Sequence, residues 1–399
     1  MTQFRSIAAS CFDSLCSMRR ELHRHPELSF HEEHTAAWVR ENLERLHIPM
    51  MEGIRGNSTV GVLTAGQPGP VILMRCDIDA LPIAEKTCLP FASQNPGVMH
   101  ACGHDAHTAV LMGLAEYFSA HREKVLGTIK FVFQQAEEKA PGGGKMIVED
   151  GVLDDVDYCL AWHCAGEQPL GTVVADSGPR TASYDDFEIR ITGKGGHGGF
   201  PSNCIDTIST AALIIEALNQ LIGWTVPALK SATMNLSHIS AGKHSVHNII
   251  PESAVIEGCF RSHDRESAEK LVERARRLSE NIAAAKECRC EFLLHPGYPS
   301  LYNDDTVTPL LADALRAGGI HAVSSPPIMA AEDFAYYAKE RPSTYFNVGI
   351  SAPGKTQYPA HNARFDIHEE AMVYAMETLL IAYDELTRGK AADILRKNR

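Results

Sequence analysis

No C-x-x-C pair occurs in this chain, although it holds 11 cysteines. Their odd number and scattered placing argue against a disulfide framework. No run of 18 apolar residues exists either, so no membrane-spanning helix is expected. Residues 1–16 lack a continuous apolar core and already carry Arg5 and Asp13, which argues against a signal peptide there. Together these absences lead us to expect a reducing, cytoplasmic setting. Positive charge is the next shortage: 37 Lys and Arg stand against 50 Asp and Glu, a net charge of −13. Nucleic acid needs a basic stripe, and an anionic membrane surface needs a basic face, so neither is expected as a partner. A small anionic substrate stays open, because one local basic pocket suffices for it. Internal repeats, low-complexity segments and heptad runs are missing as well.

What is present suffices for two domains, since 399 residues exceed one ordinary core. Hydrophobic content of 44% and charged content of 22% are those of a globular protein. Periodicity predicts helices over 4–25 and 31–47, the first stopped by His25-Pro26. Apolar runs at 60–63, 71–75, 128–133 and 158–162 read as strands, with helices after Thr108 and after Gly144. This alternation predicts a largely parallel sheet. Polar residues recur at the strand ends: Asp77 and Asp79, Glu137 and Glu138, His163. In open α/β sheets that edge binds ligands. After Pro179 the order becomes βαββαβ, with strands near 184–191, 232–239, 254–260 and 289–294. Its helices fall at 204–222 and at 267–286, the second charge-laced and expected to face solvent. Such an order gives a small ferredoxin-like sheet with helices on one face. From Pro296 the helix–strand alternation resumes. A long helix over 368–388 is expected to open on a capping box of Asp366 and Glu369. The expected fold is α/β: a mostly parallel-sheet domain in two parts, 1–181 and 295–399, with an inserted domain at 182–294.

The densest chemistry lies in Met99-His100-Ala101-Cys102-Gly103-His104-Asp105-Ala106-His107-Thr108. Cys102 and His104 on a bend at Gly103 can face one ion; alone, they read as readily as a buried thiol and a satisfied imidazole. With Glu138, His163 and His361, on loops or strand ends of the parallel-sheet part, they make five candidate ligands. Five exceed one tetrahedral site and suit two metals about 3.5–4 Å apart. Asp77, Asp79, Asp105 and His107 are then left to orient the ligating imidazoles. A Glu137-Glu138 pair is usually a solvated strand end, but beside a metal one can bind while the other acts as general base. His197 lies among four glycines, which let a backbone approach a ligand closely or simply make a tight turn. Asn248 and Arg261 flank a strand end in the inserted domain. His100, His238, His244 and His247 read as structural or peripheral.

Over nearly its whole length the chain resembles the amidohydrolase branch of the di-metal aminoacylase and carboxypeptidase G clan. That branch holds hippurate hydrolases, N-acyl-amino-acid amidohydrolases and plant hydrolases of indole-acetyl-amino-acid conjugates. The likeness runs from Arg19-Arg20-Glu21-Leu22-His23-Arg24-His25-Pro26-Glu27-Leu28-Ser29-Phe30 through Asp77-Ile78-Asp79-Ala80-Leu81-Pro82, the Met99 to Thr108 stretch and Gln134-Gln135-Ala136-Glu137-Glu138. It continues in Gly195-Gly196-His197, Asn248-Ile249-Ile250-Pro251, Glu332-Asp333-Phe334 and His361-Asn362. The resemblance implies a di-metal hydrolase domain with a lid, and two divalent ions per chain (Mn, Zn, Co or Ni) held by Cys102, His104, Glu138, His163 and His361. It implies Glu137 as general base, and His197 reaching from the lid toward the oxyanion, in relatives from the partner subunit. It also implies that Asn248 and Arg261 hold the substrate carboxylate and that the chain forms a homodimer through the lid. Cys76 and the imidazole-rich lid loop of His238, Lys243, His244 and His247 depart from the branch's common pattern.

The expected reaction is hydrolysis of the amide of an N-acyl amino acid, hippurate-like or aryl-acetyl, to a carboxylic acid and a free amino acid. A metallo-dipeptidase or carboxypeptidase is the second reading. A non-catalytic metal-binding relative is the third, against which an intact Glu137 speaks, since a metal store needs no general base.

Overall fold

The computed structural model describes residues 3–353 and 358–397. The chain divides into two compact units. One comprises Met1–Arg180, Tyr302–Pro326 and Asp333–Arg399, the other Thr181–Leu301 and Pro327–Glu332.

The first unit is built on a seven-stranded sheet. Its order is Thr59–Thr64, Thr128–Gln134, Val71–Asp77, Tyr158–Pro169, Ser343–Ser351, Thr172–Val174, His321–Val323. The four strands from Thr128–Gln134 to Ser343–Ser351 run parallel, and Thr59–Thr64 is antiparallel at one edge. Thr172–Val174 runs antiparallel to Ser343–Ser351 and parallel to His321–Val323. The central strands are apolar runs buried on both faces, as a covered parallel sheet requires. Helix His104–Ala120 buries 13 of its 17 residues, so it lies in the core and not at the surface. Ala371–Arg388 packs into the same core.

The first helix is two, Gln3–Ser10 and Phe12–Arg24, broken at Cys11. The strand carrying His163 does not end there but continues to Pro169, pairing Cys164 with Val348 and Ala165 with Gly349. No capping box opens the last long helix: the N-cap residue is Glu370, with no side-chain bond. Asp366 and Glu369 instead serve the helix Phe12–Arg24, where buried Arg19 donates to Asp366 at 2.7 Å and Arg20 binds Glu369 at 2.9 and 2.6 Å. A guanidinium buried at 1% exposure must have carboxylates around it, and that need outweighs a cap worth about 1 kcal/mol.

The second unit holds a four-stranded antiparallel sheet. Its order is Arg289–Pro296, Ser183–Thr192, Ser253–Ser262, Ala232–Ala241. Phe187, Ile189 and Ile191 point inward, where Ala254, Ile256 and Phe260 join them under the two helices. Glu188 and Arg190 alternate outward. Asp206 and Asp264 cap helices Thr207–Asn219 and Arg265–Ala285. The second helix is charged only in part: Leu271, Ala275 and Ala283 form a buried stripe, so it is amphipathic and not wholly solvated. Among the described residues no helix is long and apolar enough to cross a membrane.

Candidate metal centre

The parallel strands of the first unit deliver polar residues to one edge because their registers match. Gln134 lies opposite Asp77, and Arg75 opposite Ala161. His163, two residues beyond Ala161, is therefore level with the ends of the neighbouring strands although its own strand continues. Gly103 opens the helix His104–Ala120 with φ +94°, and a Cβ there would stand 2.8 Å from Cys164 Sγ. Only glycine meets both demands. His104 is the first helical residue, not part of the preceding bend.

Two donor triads result. Cys102, His104 and His163 have their donor atoms within 4.8 Å of one another, and so do Cys102, Glu138 and His361. Cys102 belongs to both. Its Sγ lies 3.4 Å from His163 Nε2, and His361 Nε2 lies 3.2 Å from Glu138 Oε1. The backbone fixes these groups. His361 donates its N–H to Ala101 O at 2.8 Å, and Glu138 donates its N–H to Asp79 Oδ2 at 3.0 Å. His163 Nδ1 bonds Cys164 O at 2.8 Å. His104 Nδ1 bonds the Asp79 backbone and carboxylate at 2.9 and 3.2 Å. That aims His104 Nε2, buried and without a hydrogen-bond partner, into the cluster.

The electrostatics ask for a cation. Burial pulls the His104 imidazole down, but Asp77, Asp79 and Glu138 outweigh it and hold it up at about 10. Burial pushes the Cys102 thiol well up, and Glu138, Glu137 and Asp77 push it further. Thiol, imidazoles and carboxylates crowded together in this way fit divalent metal ions, whose charge would compensate the carboxylates and ionise the thiol. Glu137, 7% exposed, groups with His104 and Glu138.

Around the donors, His107 accepts the Cys164 N–H at Nε2, 3.1 Å, and donates from Nδ1 to Asp77 at 2.6 Å. Asp77 in turn takes Arg75 at 2.8 Å, and Arg75 also holds Asp333 at 2.6 Å. Asp77, Asp79 and His107 thus stand behind the donors. Asp105 does not: it faces away to Arg19 and His23, at 3.1 and 2.8 Å. Sequence reasoning missed Arg75, and it missed Glu32, which accepts the Ala136 N–H at 2.8 Å. Nothing in the local sequence marks Glu32 as buried or shows what Arg75, inside the apolar run 71–75, is paired with.

His197, Asn248 and Arg261 lie in the second unit. His197 pairs with Ile249, and Gly198 donates to Asn248 O at 2.7 Å, so the first two are neighbours. Arg261 lies over the Tyr184 ring at 4.6 Å and donates to Met329 O at 2.8 Å.

Residues 73–384 match Peptidase family M20/M25/M40. The chain belongs to this family. Among M20 relatives, N-acetylcysteine deacetylase of Bacillus subtilis is 38% identical, with 91% of this chain and 94% of the relative covered. Thermostable carboxypeptidase 1 of Saccharolobus solfataricus is 34% identical over 90% and 92%. A crystal structure of a dinuclear metal-binding M20 peptidase from Bacillus subtilis superposes with a TM-score of 0.81 at 34% identity, covering 94% of this chain and 98% of that one. This M20 chain is accordingly a metal-dependent hydrolase of amide bonds, with the mostly parallel sheet and inserted domain of its relatives.

Proposed function

We propose that this chain hydrolyses N-acyl amino acids, releasing a carboxylic acid and the free amino acid. The observation that carries the reading is a cluster of five donors sharing Cys102, with the buried carboxylate of Glu137 set against it. Cys102, His104, Glu138, His163 and His361 would hold two divalent ions. A thiolate favours Zn, and carboxylate with imidazole also accepts Mn, Co or Ni. Such ions, when bound, lower the pKa of a coordinated water toward ~7 and polarise a carbonyl.

The chain's own residues do the rest. Glu137 takes the proton of the attacking water and delivers it to the leaving amine nitrogen, so that the C–N bond breaks without expelling an amide anion. His197 Nδ1 accepts the Gly199 N–H at 3.0 Å. That bond places the ring proton on Nε2, a donor suited to the carbonyl oxygen as charge develops on it. Asn248 and Arg261 hold the free carboxylate. The bond to Met329 occupies one of five guanidinium N–H groups, and the cation explains how a chain of net charge −13 accepts an anion. A homodimer through the second unit is part of the proposal. Among the described residues, nine of the eleven exposed large hydrophobic side chains lie on that unit, Trp224 and Leu229 most of all at 82% and 99%, which supports this reading.

The test is a panel on Mn- or Zn-loaded protein, with metal content measured: hippurate, N-acetyl-L-cysteine, indole-acetyl-L-aspartate and the dipeptide glycyl-L-phenylalanine. We expect the acyl amino acids to be cleaved, chelation to abolish turnover, and added metal to restore it. Faster cleavage of the dipeptide would favour the peptidase reading, for which the carboxypeptidase relative speaks. Full activity in protein free of transition metal would sink both.

A further inference from the structure

Strand Thr128–Gln134 does not run straight into the two glutamates. Between them Ala136 takes φ +51°, a left-handed conformation that a residue with a Cβ adopts only when its surroundings impose it. Ala136 is fully buried, and two contacts impose the turn. Its carbonyl accepts the Gly143 N–H at 3.1 Å. Its N–H donates to Glu32 Oε1 at 2.8 Å.

Glu32 is unusual in its own right. It stands at the N-cap of helix Glu33–Arg45, yet its side chain does not cap that helix. The capping falls to Glu27, which accepts from His34 N and Thr35 N at 3.0 and 2.8 Å. The Glu32 carboxylate is wholly buried. Its partners are the amides of Phe30 (3.0 Å), Ala136 and Asn57 (3.2 Å). No cation pairs with it among the described residues, and the charge that faces it is Asp79. Burial, with Asp79 adding to it, pushes its carboxyl up to about 7. A buried acid with no counter-ion is costly to keep, and the three N–H groups aimed at its oxygens are what it holds.

We infer that Glu32 is a positioning residue for Glu137: by gripping the Ala136 N–H it holds the left-handed turn that sets the direction in which Glu137 leaves the strand. The inference rests on the proposed role of Glu137 as general base. Releasing the grip lets Ala136 relax toward negative φ, which swings the next side chain.

The experiment uses metal-loaded full-length protein, assayed on hippurate and N-acetyl-L-cysteine, with hydrogen exchange followed across residues 134–138. Glu32→Ala should lose roughly tenfold in kcat with KM and metal content near wild type, and its Ala136 amide should exchange at least about tenfold faster. Glu32→Gln keeps an oxygen in place and should stay near wild type in both readouts. Adding Ala136→Gly to Glu32→Ala should recover part of kcat, because glycine holds positive φ without strain. Where Glu32→Ala fails to fold, Glu32→Asp, with its shorter reach, should lose kcat and protection where Gln does not. Unchanged kcat and unchanged exchange in Glu32→Ala, or a Gln variant as impaired as the Ala variant, would overturn the inference. Full activity of Glu137→Gln would instead overturn the general-base reading, while the exchange at Ala136 would still decide whether Glu32 holds the turn.

Discussion

Glu137 and Glu138 are adjacent in sequence and differ in what surrounds them. Glu138 has its N–H tied to Asp79 and its carboxylate 3.2 Å from His361, the situation of a ligand. Glu137 is grouped with His104 and Glu138, beside the donors and itself buried. Glu137→Gln should therefore keep two metals per chain while losing about 10²–10⁴ in kcat, since the amide fills the same space and cannot take a proton. Glu138→Ala should lose metal. Elemental analysis beside kinetics separates the two, and two variants that both bind metal normally and stay active would end this division of work. The five candidate donors could be picked out in sequence because they fall on loops or strand ends of the parallel-sheet part, the edge at which such folds bind ligands, and the structure brings them into two groups that share Cys102. Glu32, Arg75 and the outward turn of Asp105 were not readable: what each is buried against lies 59 to 258 positions away in the chain, and pattern alone does not bring those groups together.

At the scale of elements, helix Phe12–Arg24 illustrates the same limit and carries its own prediction. Its apolar stripe was legible, but its buried charges were not. Arg19 and His23 both reach Asp105, in the first turn of the helix that starts at His104. His23 also lies 3.3 Å from Glu85. The apparent capping box at Asp366 and Glu369 misled because its spacing is shared by carboxylates that serve another helix. Burial pulls the His23 imidazole down, but the hydrogen bonds its protonated ring donates to Asp105 and Glu85 outweigh it and raise it to about 9 from 6.5. The folded state thus keeps a proton that the unfolded chain loses near 6.5. The stabilisation is fully present below that pH and disappears as pH rises through about 9. Its ceiling is up to about 3 kcal/mol. Urea unfolding of wild type and His23→Gln should differ most near pH 6 and converge by about pH 10. A difference that does not shrink over that range would show that His23 acts by packing and not by charge.

At the scale of the whole molecule, the proposal divides one reaction between two units of the chain and, in the dimer, between two chains. The metal donors and Glu137 belong to the first unit, His197 to the second. His197 is exposed, with its Nε2–H presented by the Gly199 contact, as a group serving a site outside its own loop has to be. If that site is a partner's, His197→Ala and Glu137→Gln chains should each be inactive alone, and mixing them should restore turnover. A hybrid dimer has one site with both residues intact and one with neither. Random pairing makes about half the dimers hybrids with one working site of two, so recovery should approach about a quarter of wild type for a closed two-fold assembly. Subunit exchange is followed with a size-tagged chain, and the plateau is read after exchange is complete. No recovery despite complete exchange would assign His197 to its own chain's site or to none, and a fully active monomer in gel filtration would remove the trans arrangement while leaving the metal centre and Glu137 untouched.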